Sequence, residues 1–447
     1  MFKAARGSPR ILIPIGLYLC LSLLYLFAVP SGESPDEPSH LRCIEQVSIE
    51  NRLPEVDPKP SGLWWERTAT VSGYLCHHLP LYYLAAGAMQ KIVQGIGDAP
   101  QHFELPPNNP GWTSGVPAMF LHTDKTSFFM IPEPRTVVAV RILSILLGLI
   151  TVWACYQTAR AVLPDDATLP IIAAVLCAGW PQFLYMQRAI NNDILATALA
   201  SGVLIVLLKV GRPYRFIWAT GLACLAVLAK LTMSFTLVVV ALAFGLEWFT
   251  FRTQRKNYLT AALVCLGITG LLAMLLIFQP TINHHLVADQ RGFGSTLPQA
   301  ATVAYWLDVL KLSISSGFAR FGWMNLPAPE WQAYAWWGGI VVTALLGLQI
   351  ILKGARDHRQ KLLLITLFIW TAGVLAIYLR LNSNRFQPQF RFAFPLLPIV
   401  CTFAAAGWLR VARRFTRKGV FVVGLPLALL VIVNLYLIIA VIVPAYR

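Results

Sequence analysis

Apolar runs of about 20 residues, separated by short knots of Lys and Arg, recur along nearly the whole 447-residue chain. No other feature restricts the fold as much. A segment of that length in a bilayer must satisfy its backbone N–H and C=O groups internally, so each run reads as a helix. The chain is therefore expected to be an all-α polytopic membrane protein. Composition agrees, with 57% of residues apolar and 13% charged. A net charge of +16 would suggest nucleic-acid binding in a soluble protein. Here the bases sit between the apolar runs, where the positive-inside rule places them, and no nucleic-acid partner is expected. The first run, 11–29, is long enough to span and lacks a small-residue cleavage site, so it reads as a transmembrane helix and not a removed signal.

Taking the basic clusters as cytoplasmic sets the topology. They are Lys3/Arg6/Arg10, Lys209/Arg212/Arg215, Arg252/Arg255/Lys256, Lys353/Arg356/Arg359/Lys361 and Arg410/Arg413/Arg414/Arg417/Lys418. Any two clusters must be separated by an even number of crossings, so Phe216 to Phe249 must hold two short helices that turn at Lys230, on the outer side. The same reasoning gives spans near 11–29, 137–161, 168–186, 193–210, 215–229, 231–250, 258–278, 333–352, 361–379, 392–409 and 419–443. These make about eleven helices, with the N-terminus cytoplasmic in a cell inner membrane. The whole chain, 1–447, reads as one transmembrane domain with two long extracytoplasmic loops, 30–136 and 279–332. The first loop holds twelve of the twenty acidic residues. In the second, Val303, Trp306, Leu307, Leu310 and Ile314 recur at helical spacing, as in a helix lying on the membrane surface. Cys43 and Cys76 fall in the first loop, where they are either a disulfide or two separate thiols.

The acidic stretch "SGESPDEPSHL" follows the first span directly. Pro38 suits the first turn of a helix, which puts Asp36 and Glu37 at its N-terminal mouth with His40 one turn on. One acid there can cap the helix; two acids beside an imidazole can instead supply a general base, metal ligands or both. Other polar residues fall at the same membrane level. "HHLPLYYLAAG" presents His78 and Tyr82, or an interfacial aromatic anchor. "RAINNDILA" presents Asn191, Asn192 and Asp193, or a helix cap. Lys230 and the Gln389 and Arg391 of "RFQPQFRFAFPLLP" either snorkel to headgroups or serve as ligands. A carboxylate base beside several cations is what chemistry on a phosphate-bearing substrate requires.

At these residues the sequence resembles the GT-C superfamily of membrane glycosyltransferases, in a bacterial branch beside the protein-mannosyltransferase and aminoarabinose-transferase families. "SPDEPSHL", "HLPLYYLAAG", "RILSILLGLITV", "AINNDILA", "LAKLT", "FGWMNLPAPEW" and "FRFAFPLLP" carry the likeness, in the family's order. Phe392 departs from it, since the family more often has Tyr after this Arg. The resemblance implies a polyprenyl-phosphate sugar as donor and Asp36 as catalytic acid/base residue.

On that basis Asp36 is expected to deprotonate the acceptor hydroxyl for a single inverting displacement. Glu37 would position the acceptor or, with Asp36, a divalent Mg or Mn ion. His40 and His78 would support as ligands or hydrogen-bond donors. Lys230 and Arg391, with Arg141 or Arg320, would hold the phosphate. The expected partners are a lipid-linked sugar, a glycan, lipid or protein acceptor, and the bilayer. Two other readings compete: a transporter or flippase for a lipid-linked or anionic solute, and a glycan ligase or polymerase using diphosphate-linked donors. Transporters bury ionisable groups at midplane, whereas the polar residues here gather at one face.

Overall fold

A computed structural model describes residues 9–55, 74–95, 106–114, 116–122, 135–291, 296–355, 357–416 and 418–446. The protein is a helical membrane bundle. Among the described residues seven helices are long and apolar enough to cross a bilayer: Arg135–Val162, Leu231–Thr250, Arg252–Phe278, Glu330–Gly354, His358–Asn384, Phe390–Phe415 and Phe421–Ala445. The helices Leu12–Ala28, Asn192–Leu207 and Arg215–Ala229 are apolar but shorter. The expected span 168–186 is instead a broken pair, Leu169–Ala178 and Pro181–Gln187, bent by 61°. The break has a local cause. Pro181 cannot donate a backbone hydrogen bond to the preceding turn, and Trp180 before it adopts extended backbone. The Trp180 indole then reaches the Gly317 carbonyl at 2.6 Å, tying the bend to the second long loop.

Helices pack closely where side chains are absent. A Cβ on Gly347 would collide with the Phe403 carbonyl, and one on Gly407 with the Thr343 carbonyl. Glu330–Gly354 and Leu397–Phe415 therefore meet almost backbone to backbone, as small residues allow between membrane helices.

The described part of the first long loop holds two helices, Glu37–Ser48 and Leu81–Gln94. Ser48 Oγ joins them by donating to Gln90 Oε1 at 2.6 Å, and a Cys43–Cys76 disulfide ties the first helix to the turn Tyr74–His77 that precedes the second. Of the two readings of this cysteine pair, the bonded one is realised. The second loop contains the expected helix Val303–Phe318, capped by Thr302 accepting the Tyr305 N–H. Val303, Leu307 and Leu310 on it are exposed, leaving an apolar face outside the protein core. A two-stranded hairpin, Arg320–Phe321 with Leu326–Pro327, follows and had no sequence signal. Its turn docks on the first loop through Trp323 Nε1, which donates to the Gly32 carbonyl at 3.0 Å.

Candidate functional site

Three acids in five residues, Glu33, Asp36 and Glu37, follow the end of the first helix and point in three directions. Gly32 and Asp36 both have left-handed backbone, with φ of 88° and 68°, so the chain doubles back before the helix Glu37–Ser48. Glu33, fully buried, accepts the N–H groups of Met119 and Phe120, each at 3.0 Å, and lies 2.7 Å from His122 Nε2. Glu37 makes a two-pronged pair with Arg141, 2.9 Å at each oxygen, and accepts the Gly32 and Ile190 N–H groups at 3.1 Å. Burial alone would raise its pKa. Arg141, then Arg188 and the Ile190 amide, outweigh burial and hold the carboxyl below the ordinary carboxylate range. Asp36 occupies the N-cap position but makes no cap bond. Its Oδ2 lies 2.5 Å from Arg391 Nη2 instead.

Arg391 belongs to the short 3₁₀ turn Phe390–Leu396 and joins Asp36 to a second acid. Its Nε is 3.5 Å from Asp193 Oδ2, and the other oxygen of Asp193 binds Lys230 Nζ. Lys230 caps the C-terminal end of Arg215–Ala229, and Asp193 lies in the first turn of Asn192–Leu207. Four chain segments far apart in sequence thus deliver two carboxylates and two cations to one end of the bundle. Asp36 is the most exposed member, at 26% for its side chain, against 5% for Arg391, 7% for Asp193 and 10% for Lys230. The Phe392 ring lies 4.8 Å from Lys230 Nζ and 5.0 Å from Arg391 Cζ, so where the resembled family has a phenol this chain has an apolar face against both cations.

A wall of rings adjoins the ions. His40 Nδ1 is 3.0 Å from the Tyr83 hydroxyl. His78 stacks at 6.1 Å from the His40 ring, and Tyr82, buried, meets it edge-on at 6.3 Å. Burial, then the charges of His78, Lys230, Arg391 and His77, push the His40 pKa well below the usual histidine value, so its ring is neutral.

The expected ligands therefore divide. Asp36, Asp193, Lys230 and Arg391 converge, with His40, His78 and Tyr82 alongside. Asn191 is a helix cap, its side chain accepting the Asp193 N–H at 2.8 Å. Asn192, fully buried, donates to the Ala229 carbonyl at 3.5 Å, linking the two helices that carry Asp193 and Lys230. Gln389 bonds to Gln387 at 3.1 Å.

Several expectations are corrected. Glu37, expected to position the acceptor or a metal, has its oxygens engaged instead by Arg141 and two amides. Arg141 is not a phosphate ligand, because its guanidinium is buried against Glu37 and the Val29 and Pro30 carbonyls. Arg320 holds the Met324 carbonyl at 2.5 Å and Ser315 Oγ at 3.3 Å, and lines a separate cavity of about 390 Å³ with Lys311 and Glu330. Asp36 and Glu37 do not point to one centre, as a Mg or Mn ion shared by the two would need. Glu37 is turned to its own partners, and among the described residues no three His, Cys, Asp or Glu side chains are placed to hold a metal.

Sequence reasoning assigned Glu33 no role, and it placed Arg188 at the outer junction with Asn191, Asn192 and Asp193 without showing that both build this site. Arg188 is fully buried, donates to Ser34 Oγ at 2.6 Å and lies over the Tyr185 ring at 4.7 Å, which fixes the turn before Asp36. The signal was an Arg just before a helix start otherwise free of basic residues.

A search among curated proteins found no match. Among solved structures, that of ArnT from Cupriavidus metallidurans bound to undecaprenyl phosphate is similar, with a TM-score of 0.52 at 12% identity, covering 98% of this chain and 74% of that one. The apo structure of the same ArnT gives 0.52 at 12% identity, over 97% and 73%. The likeness establishes a GT-C-like membrane fold. The model of the family described as "Predicted membrane protein (DUF2142)" matches residues 135–400, more than half of the chain and including Asp193, Lys230 and Arg391, and the chain belongs to that family.

Proposed function

We propose that the protein moves a sugar from a polyprenyl-phosphate donor to a hydroxyl of a glycan, lipid or protein acceptor, at the extracytoplasmic face of the inner membrane. The observation that carries this reading is the Asp36 carboxylate. It sits at a helix start without capping it, partly open to the outside, and is held by an arginine that belongs to a buried Asp193–Lys230 pair. The ArnT structure with undecaprenyl phosphate supports a lipid phosphate as the anchor of the donor.

In this reading the isoprenoid tail stays in the bilayer while the phosphate enters beside Lys230 and Arg391. Asp193 holds both cations in place. The arriving phosphate takes Arg391 from Asp36, which releases the carboxylate as a general base. Asp36 then removes the proton of the acceptor hydroxyl, whose oxygen attacks the anomeric carbon. The bond from that carbon to the phosphate oxygen breaks with inversion, and Lys230 and Arg391 stabilise the charge growing on the departing phosphate.

The test is transfer by the purified protein in nanodiscs, from a panel of polyprenyl-phosphate sugars. Asp36→Asn should lower turnover by about 10³-fold or more while leaving insertion and thermal melting unchanged. A fully active Asp36→Asn enzyme would remove Asp36 from the mechanism. Movement of intact lipid-linked sugar across the membrane without transfer would favour a flippase.

A further inference from the structure

We infer that His40 is a hydrogen-bond acceptor for a carbohydrate hydroxyl, with its proton fixed on Nδ1 and a bare lone pair on Nε2. The inference deepens the proposed sugar transfer and rests on it for the identity of the ligand. The argument begins at Leu75. Its carbonyl can only accept, and the Tyr83 hydroxyl lies 3.1 Å from it, so the single phenolic proton points to Leu75. The Tyr83 oxygen then meets His40 Nδ1, 3.0 Å away, with a lone pair, and Nδ1 must be the donor. A neutral imidazole has one protonated nitrogen, which leaves Nε2 as acceptor.

The relay is anchored at both ends. Leu75 donates its N–H to Ser39 Oγ at 3.2 Å, and its neighbour Cys76 is joined to Cys43. Ser39 and Cys43 lie on the helix that carries His40. The carbonyl that orients Tyr83 is thus fixed to the same rigid element as the imidazole it sets. The His40 N–H bonds the Asp36 carbonyl at 3.1 Å, so His40 stands one turn beyond Asp36.

The surroundings decide what the lone pair takes. Lys230 and Arg391 set a positive field at the ring, Asp36 lies one turn away, and Tyr82 and Tyr83 are uncharged at neutral pH. That field opposes protonation of Nε2. A phosphate offers only oxygen acceptors at neutral pH, and a bare lone pair repels them, so His40 is not a phosphate ligand. It needs an O–H donor, and a sugar beside the phosphate supplies one. The hydroxyl belongs either to the transferred sugar or to a sugar acceptor.

Selective ¹⁵N-histidine labelling of the full chain in nanodiscs tests the tautomer without turnover, with His40→Gln assigning the resonance. A protonated Nδ1 and bare Nε2 from about pH 8 to about pH 5.5 is the expected result. The opposite tautomer, or protonation within that range, overturns the inference. Tyr83→Phe should convert the signal to a mixture of tautomers. In transfer assays His40→Leu should raise one KM about tenfold with a smaller change in kcat, and His40→Gln, whose amide oxygen can accept, should return to within about threefold. A raised donor KM assigns the hydroxyl to the transferred sugar, and a raised acceptor KM assigns it to the acceptor. Equal behaviour of Leu and Gln, or a loss in kcat alone, overturns the role. A wrong donor class would silence the kinetics and leave the NMR result readable, so the two readings fail separately.

Discussion

The helix Arg215–Ala229 carries an ion pair at each end, about 22 Å apart by its rise. At its N-terminal end Arg215 pairs with Glu247, which also accepts the Gly211 N–H at 3.1 Å and the Tyr258 hydroxyl at 2.8 Å. Both side chains are 2% exposed. At its C-terminal end Lys230 pairs with Asp193, which shares Arg391 with the half-open Asp36. The first cluster is closed on itself, with the carboxylate fully used. The second ends in a carboxylate that is partly open to solvent. Burial and charge pairing are therefore common to both ends, and what separates architecture from a candidate site is an ion that reaches solvent.

Breaking the closed end should have the largest effect on stability. Arg215→Met leaves a buried Glu247 charge and should cost about 3–5 kcal/mol, read by thermal melting, with KM unchanged in whatever enzyme survives. If the same substitution altered KM, the two ends would not be independent. Opening the Cys43–Cys76 bridge should come next. Its 33-residue separation corresponds to about 3.7 kcal/mol of restrained chain entropy, so reductant should lower melting and weaken substrate binding, with no added effect in Cys43→Ser. Lys230→Met should lower kcat about 10²-fold, a loss seen as activity more than as melting. A purely structural Lys230 would show the reverse. Phe392→Leu removes a ring shared by two cations and should cost about 1 kcal/mol in donor binding.

The smallest effect expected is on pH dependence. The folded pKa of His40 lies well below its unfolded value near 6.5, so between the two the unfolded chain binds more protons and stability falls as pH falls. Melting of the wild type should drop as pH is lowered beneath about 6.5, and His40→Gln should drop less. Glu37 acts with the same sign at lower pH. Its lowered pKa stabilises the fold above the unfolded carboxyl value and is lost only as pH falls through the folded one, in a more acidic window.

Much of this was legible in the sequence because membrane insertion enforces it. Spacing of apolar runs and basic clusters located the helices, and the even-crossing argument placed Lys230 at the tip between Arg215–Ala229 and the helix after it. The same logic put Asp36, Asp193 and Arg391 at one level. Side-chain direction was not legible. Asp36 and Glu37 are neighbours, and only the left-handed backbone at Asp36 sends one to Arg391 and the other to Arg141. Arg141 and Arg391 look alike in sequence, each a lone cation near a span end, yet one anchors a carboxylate and two carbonyls while the other reaches the open site. The hairpin at Arg320 depends on tertiary contacts that no local pattern encodes, whereas the bend at Trp180 has its local signal in Pro181, inside a run that reads as one span.

The left-handed backbone at Asp36 also limits which residues can ever stand there. Glycine adopts φ near +68° freely, Asn and Asp tolerate it, and most other side chains strain against it. Glutamate, the usual conservative exchange for a catalytic Asp, is disfavoured by the main chain before its reactivity matters. A lineage that lost Asp36 would thus be channelled toward Asn or Gly, neither of which is a base, so the fold could lose the proposed base in one mutational step while keeping its shape.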